Sequence, residues 1–162
     1  MIYKKTWKYI LTRDNTNYCI KTGYYRPKAL KNFKDVKKGD LGGYLEGYYN
    51  LSQKGNCWIY NNSRVLDSAC VSENARVLDN VLIYDYSQIY GNAVIYKCSY
   101  IFENAQVYGN AQVFGYAKVS GNAHVRENAE VFGNAYICGN AIIKENTKVS
   151  GNTTVRKDMI VR

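Results

Sequence analysis

The sequence predicts an all-β protein: a parallel β-helix over residues 57–162, preceded by a small basic cap over residues 1–56. Three observations predict it. Val or Ile occupies every sixth position from Ile59 to Val161, eighteen times without an insertion or deletion. The intervening positions are restricted in step with that row. Val, Ile, Asn, Gly and Tyr are abundant, leucine is scarce and proline occurs once, at Pro27, a profile of strands and turns rather than helical bundles.

The repeat is one strand and one corner. A β-branched residue suits the inward-facing middle of a short pleated strand. Four places on, the residue is small: Ala69, Ala75, Ala93, Ala105 and onward to Ala141. A small side chain fits where a tight coil narrows. Three places on, Asn dominates (Asn74, Asn92, Asn110, Asn128), and two places on stands Gly or an acid (Gly91, Gly109, Glu103, Glu127). Gly and Asn tolerate the left-handed backbone of a sharp corner. The asparagines read as a structural amide ladder. A single coil cannot bury its own core, so coils must stack and share one.

In the leading segment, WKYIL (7–11) reads as a strand, RDNT (13–16) as a turn and NYCIK (17–21) as the returning strand. KALKNFKDVKK (28–38) spaces Leu30, Phe33 and Val36 for a short amphipathic helix that Gly39 ends, with Lys28, Lys31, Lys34, Lys37 and Lys38 facing solvent. The net charge of +9 is concentrated here. Residues 1–56 carry 12 Lys and Arg against 4 Asp and Glu, whereas residues 57–162 carry 10 against 9. A cationic patch favours anionic partners: nucleotides, nucleic acid or acidic protein surfaces. Long duplex DNA is disfavoured, because the β-helix is nearly neutral and has no groove-reading motif.

Three hexads per coil place residues 18 apart in columns, and the neighbours of each aliphatic point outward. One wall then shows Tyr60, Leu78, Tyr96, Phe114 and Phe132, and a second shows Leu66, Tyr84 and Phe102 beside Leu82, Tyr100 and Tyr136. Exposed apolar rows of this size mark interfaces. Leu78, Tyr96, Phe114, Phe132, Tyr84 and Phe102 are therefore the candidate oligomer contacts. The third wall shows Tyr90, Tyr108, Arg126, Lys144 and Arg162, with His124 alongside. Rings beside a cationic row suit bases and phosphates, so these six are the candidate ligand-binding residues.

The repeat resembles the hexapeptide-repeat family, whose members form a left-handed parallel β-helix of triangular section. The resemblance covers residues 57–162. The family's glycine stands one place later here, as in Val-Ser-Gly-Asn-Ala-His at 119–124. It implies a homo-oligomer, a trimer foremost, and offers acyl transfer from acyl-CoA as an activity. The segment 29–63 is similar to the leading segment of hexapeptide-repeat proteins of bacteriophages and prophages, which implies a phage-type protein acting in a bacterial cytoplasm.

Chemistry is thinly signalled. His124 is the single histidine and the catalytic residue if the protein is an acyltransferase, but no carboxylate is clearly placed to orient it and no loop folds over a cofactor. One histidine does not make a three-histidine zinc site. Five cysteines, at 19, 57, 70, 98 and 138, contain no CxxC pair, so neither a disulfide framework nor a metal site is read. No phosphate-binding loop or serine elbow occurs, and no cofactor is expected. No signal peptide or membrane span is read. The resulting expectation is a non-catalytic binding protein that captures a small, nucleotide-like anion at oligomer clefts in a counter-defence role. The alternatives are an acyltransferase and a scaffold for protein interactions.

Overall fold

A computed structural model describes residues 6–13 and 21–161 of the chain. Among them, eighteen two-residue strands, β4 (Trp58–Ile59) through β21 (Ile160–Val161), follow one another at a spacing of one hexad. With a nineteenth strand, β3 (Tyr44–Leu45), they stack into three parallel sheets of six, seven and six strands, so each coil contributes one strand to each wall. Among the eighteen hexad strands the register is 18 residues: Ile95 pairs with Val77 and Val113, Ile101 with Ile83 and Val119, Val107 with Ile89 and Val125. The hexad aliphatics from Ile59 to Val155 point inward, and those from Ile59 to Ile143 are fully buried. Alanines, with Ser63, Ser87 and Ser99 in the same role, complete the core. Ser87 and Ser99 are buried because each hydroxyl donates to the carbonyl three residues back (Tyr84, 2.8 Å; Tyr96, 3.1 Å).

The corners are built from two ladders. The expected amide ladder runs Asn56–Asn74–Asn92–Asn110–Asn128–Asn146, each Nδ2 donating to the next Oδ1 at 3.1–3.2 Å. Beside it, every residue two places after an aliphatic from Asn61 to Lys157 is left-handed, including Glu73 (φ 57°) and Glu103 (φ 58°). That conformation costs a non-glycine residue on the order of 1–2 kcal/mol. The acids offset it through a second ladder. The carboxylates of Glu73, Asp79, Asp85 and Glu127 each accept the backbone N–H 18 residues on, at 2.9 Å, and Glu103 does the same for Gly121.

The cap differs from expectation in three ways. Strand β1 (Tyr9–Thr12) pairs antiparallel with β2 (Arg26–Ala29), Tyr9 opposite Ala29, so the return strand is 26–29. The expected return at 17–21 lies, apart from Lys21, outside the described residues, as do 14–16 of the expected turn. Second, residues 28–38 form no helix. Phe33 and Val36 exchange backbone hydrogen bonds at 2.9–3.0 Å across a tight turn. Tertiary contacts outweigh the helical spacing: Phe33 packs on Trp58 at 5.4 Å, Val36 is buried, and Asp35 pairs with Arg76 at 2.8 Å and accepts from Tyr60 Oη at 3.0 Å. Third, the stack begins before residue 57. Strand β3 (Tyr44–Leu45) pairs parallel with β5 (Arg64–Val65), and Leu51 bridges Val71.

The cap satisfies polar groups that a further coil would otherwise meet. The buried Lys8 ammonium donates to the Cys57 carbonyl at 2.9 Å and approaches the Cys57 thiol at 3.2 Å, and the Tyr9 hydroxyl donates to the Leu51 carbonyl. Burial pushes the Lys8 pKa down and the Cys57 pKa up. Trp58, Tyr9 and Phe33 form an aromatic plug over the first coil. Among the described residues no helix is long and apolar enough to cross a membrane.

Candidate functional site

Side chains one coil apart sit at the inter-strand spacing of about 4.8 Å, close to the separation of stacked rings. Like residues in one column therefore stack. On the wall of Ile95 and Val113, Tyr96 and Phe114 lie parallel at 4.7 Å and Phe114 and Phe132 at 4.9 Å, with Leu78 one coil before Tyr96. On the wall of Ile83 and Ile101, Tyr84 and Phe102 stack at 5.3 Å. All six candidate contact residues are outward and partly exposed.

The third wall assembles five of the six candidate ligand residues. Tyr90 and Tyr108 stack at 4.7 Å and 4°, and Tyr90 Oη donates to Gln106 Oε1 at 3.2 Å. His124 meets the Tyr108 ring edge-on at 6.0 Å. Arg126 and Lys144 continue the column, each with a neighbouring glutamate: Glu127 at 3.4 Å and Glu145 at 3.5 Å. Arg162 lies outside the described residues. Two features limit this wall as a binding surface. The facing sides of the two tyrosines are spent on each other, and both cations are partly neutralised.

Burial, and then the Arg126 guanidinium, hold the His124 imidazole below its ordinary value of about 6.5. Among the described residues no carboxylate hydrogen-bonds it. A base held neutral by its surroundings costs stability when it is protonated. Stability therefore rises with pH from the lowered folded-state pKa up to the unfolded-state value. An NMR titration of this one imidazole should give a midpoint below 6.5, and Arg126→Gln should move it up. A midpoint above 6.5 in the unaltered protein would contradict this placement.

A cleft on the second wall was not picked out from the sequence as a site. It has a volume of about 570 Å³ and is lined by Tyr100, Phe102, Tyr116, Lys118, Asn134 and Tyr136. Tyr116 occupies a corner place where the preferred residue is Asn, and that substitution was the available signal. Its column keeps an amide bond from Asn134 to Asn152 at 3.1 Å, whereas Tyr116 is 65% exposed. Among the described residues no group of three or more His, Cys, Asp or Glu is placed to hold a metal ion.

The family model of the YdcK beta solenoid repeat matches residues 105–121, about one coil in the middle of the stack. No curated protein matches the chain. The chain is a β-solenoid repeat protein.

Proposed function

We propose that the protein is a phage-type, non-catalytic binding protein that assembles with copies of itself, a trimer foremost, through its aromatic walls. The observation that carries this reading is the row Leu78–Tyr96–Phe114–Phe132. Three of its rings are stacked within 4.9 Å and partly exposed along a flat wall. Such a row is rigid before any partner arrives, so little side-chain entropy remains to be lost on docking. A continuous apolar strip on a water-facing wall is the usual mark of an interface. The resemblance of residues 29–63 to phage and prophage proteins supports the setting, a bacterial cytoplasm.

Light scattering on the eluting protein should report a multiple of the chain mass. Phe114→Glu places a charge in the middle of the row and should shift the mass to that of one chain, with the circular dichroism spectrum unchanged. A single-chain mass for the unaltered protein, or no change in the variant, would remove this reading.

A second reading, capture of a small nucleotide-like anion, is favoured by the cap. Lys28, Lys31, Lys34, Lys37 and Lys38 are all exposed on one short segment. Retention on heparin that falls steeply with salt is its cheapest check.

A further inference from the structure

The stacked ladders and the second-wall cleft differ in what they leave free. In the ladders the rings are packed face to face. Tyr100 and Tyr136 share one column but stand two coils apart with Lys118 between them, and among the described residues neither stacks on another ring. At about 4.8 Å per coil their backbone positions lie roughly 9–10 Å apart. The cleft they line, about 570 Å³, has room for one flat ring beside the lysine stem. Tyr136 is held in place by its hydroxyl, 3.0 Å from the buried Ser120 Oγ. Tyr116 adds an exposed ring at the corner, where an asparagine would have extended a ladder.

The charge in the cleft is also unmatched. Arg126, Lys144 and Lys148 each have a glutamate within 3.5 Å. Among the described residues Lys118 has no carboxylate in ion-pair range, and its ammonium lies 5.8 Å from the Tyr100 ring centroid. A cation over one ring, with the exposed Tyr116 ring and the Asn134 amide alongside, complements a molecule that is flat at one end and negative at the other. The volume is that of an ordinary small-molecule site.

We infer that this cleft binds a planar aromatic ring carrying an anionic group, of the class of nucleoside monophosphates and aryl phosphates. The ring lies against Tyr100, Tyr116 and Tyr136, and the anion meets Lys118 Nζ. The inference rests on the reading of the protein as a binding module and assigns it a site away from the third wall.

Calorimetry on the intact protein tests it with four probes: adenosine monophosphate, phenyl phosphate, adenosine and inorganic phosphate. The first two should bind, and the last two, each lacking one half of the recognised pair, should bind at least about tenfold more weakly. Lys118→Gln should weaken adenosine monophosphate about tenfold or more. Tyr116→Asn installs the residue preferred at that corner, so it preserves the fold, and should weaken binding about fivefold or more by removing a stacking face. Lys148→Gln, at a cation on another wall that is paired with Glu130, should leave affinity unchanged. Loss of binding in Arg126→Gln with none in Lys118→Gln would overturn the cleft assignment and leave the binding-module reading standing. No heat from any probe would overturn the inference. So would a particle whose mass falls in Lys118→Gln without a change in affinity, because a second copy would then be the occupant of the cleft.

Discussion

Ile101→Ala should lower the unfolding free energy by about 2–5 kcal/mol, the range for deleting a large aliphatic from a packed core. Ile101 has no exposed surface and stands in mid-stack, paired through its strand with Ile83 above and Val119 below. Both neighbours are held by their own 18-residue register, so the coils cannot close over the lost methyl groups, and the void persists. Ile160, one place off the same periodic row, is 53% exposed. Ile160→Ala should change stability by less than about 0.5 kcal/mol. Urea unfolding followed by circular dichroism measures both. Equal effects from the two substitutions would show that the six-residue row does not form the core.

Gly43→Ala should destabilise the cap by about 1–3 kcal/mol, more if the strand cannot shift. A methyl group at this position would lie 2.3 Å from the Ser63 carbonyl oxygen and 2.6 Å from Ile59 Cγ2. The contact is close because the backbone here lies flat on the first coil, with Gly43 N–H donating to Ile59 O and Tyr44 N–H to Ser63 O, both at 2.9 Å. Displacing the segment exposes Trp58, which is 1% exposed in the intact fold. In a Trp7→Phe background its emission should shift to longer wavelength and the thermal midpoint should fall. An unchanged spectrum and midpoint would mean that the cap does not seat on the coil in this way.

Much of the fold was legible because the constraint is local and repeated. Each hexad meets the same geometry, so Ile59, Val65 and Val71 report the inward direction as surely as Val125, and the asparagine column reports the corner. The acid column was visible as a pattern but not as a mechanism. Glu73 and Glu127 are left-handed and cap a backbone N–H one coil away, a partner 18 residues distant that a local reading does not pair. The cap was misread where tertiary contact outweighed local spacing. Leu30, Phe33 and Val36 fit a helix as a string, but docking of Phe33 on Trp58 and of Asp35 on Arg76 draws the segment into a tight turn.

The candidate sites divide in the same way. Columns and walls follow from counting by 18, which by itself assigns Tyr90, Tyr108, His124, Arg126 and Lys144 to one surface. Counting does not tell whether a ring face is free or a charge is compensated. Those depend on side-chain packing between coils and on the carboxylates that flank each cation. The amino-acid sequence by itself determined that this chain winds into stacked coils with an aliphatic interior and aromatic walls, because one six-residue rule is obeyed at every step. Only the tertiary structure decided where the stack begins, how the cap closes it, and that Tyr100, Lys118 and Tyr136 leave an open, positively charged gap. Each of these arises from non-repeating contacts between residues far apart in the chain, which no periodicity encodes.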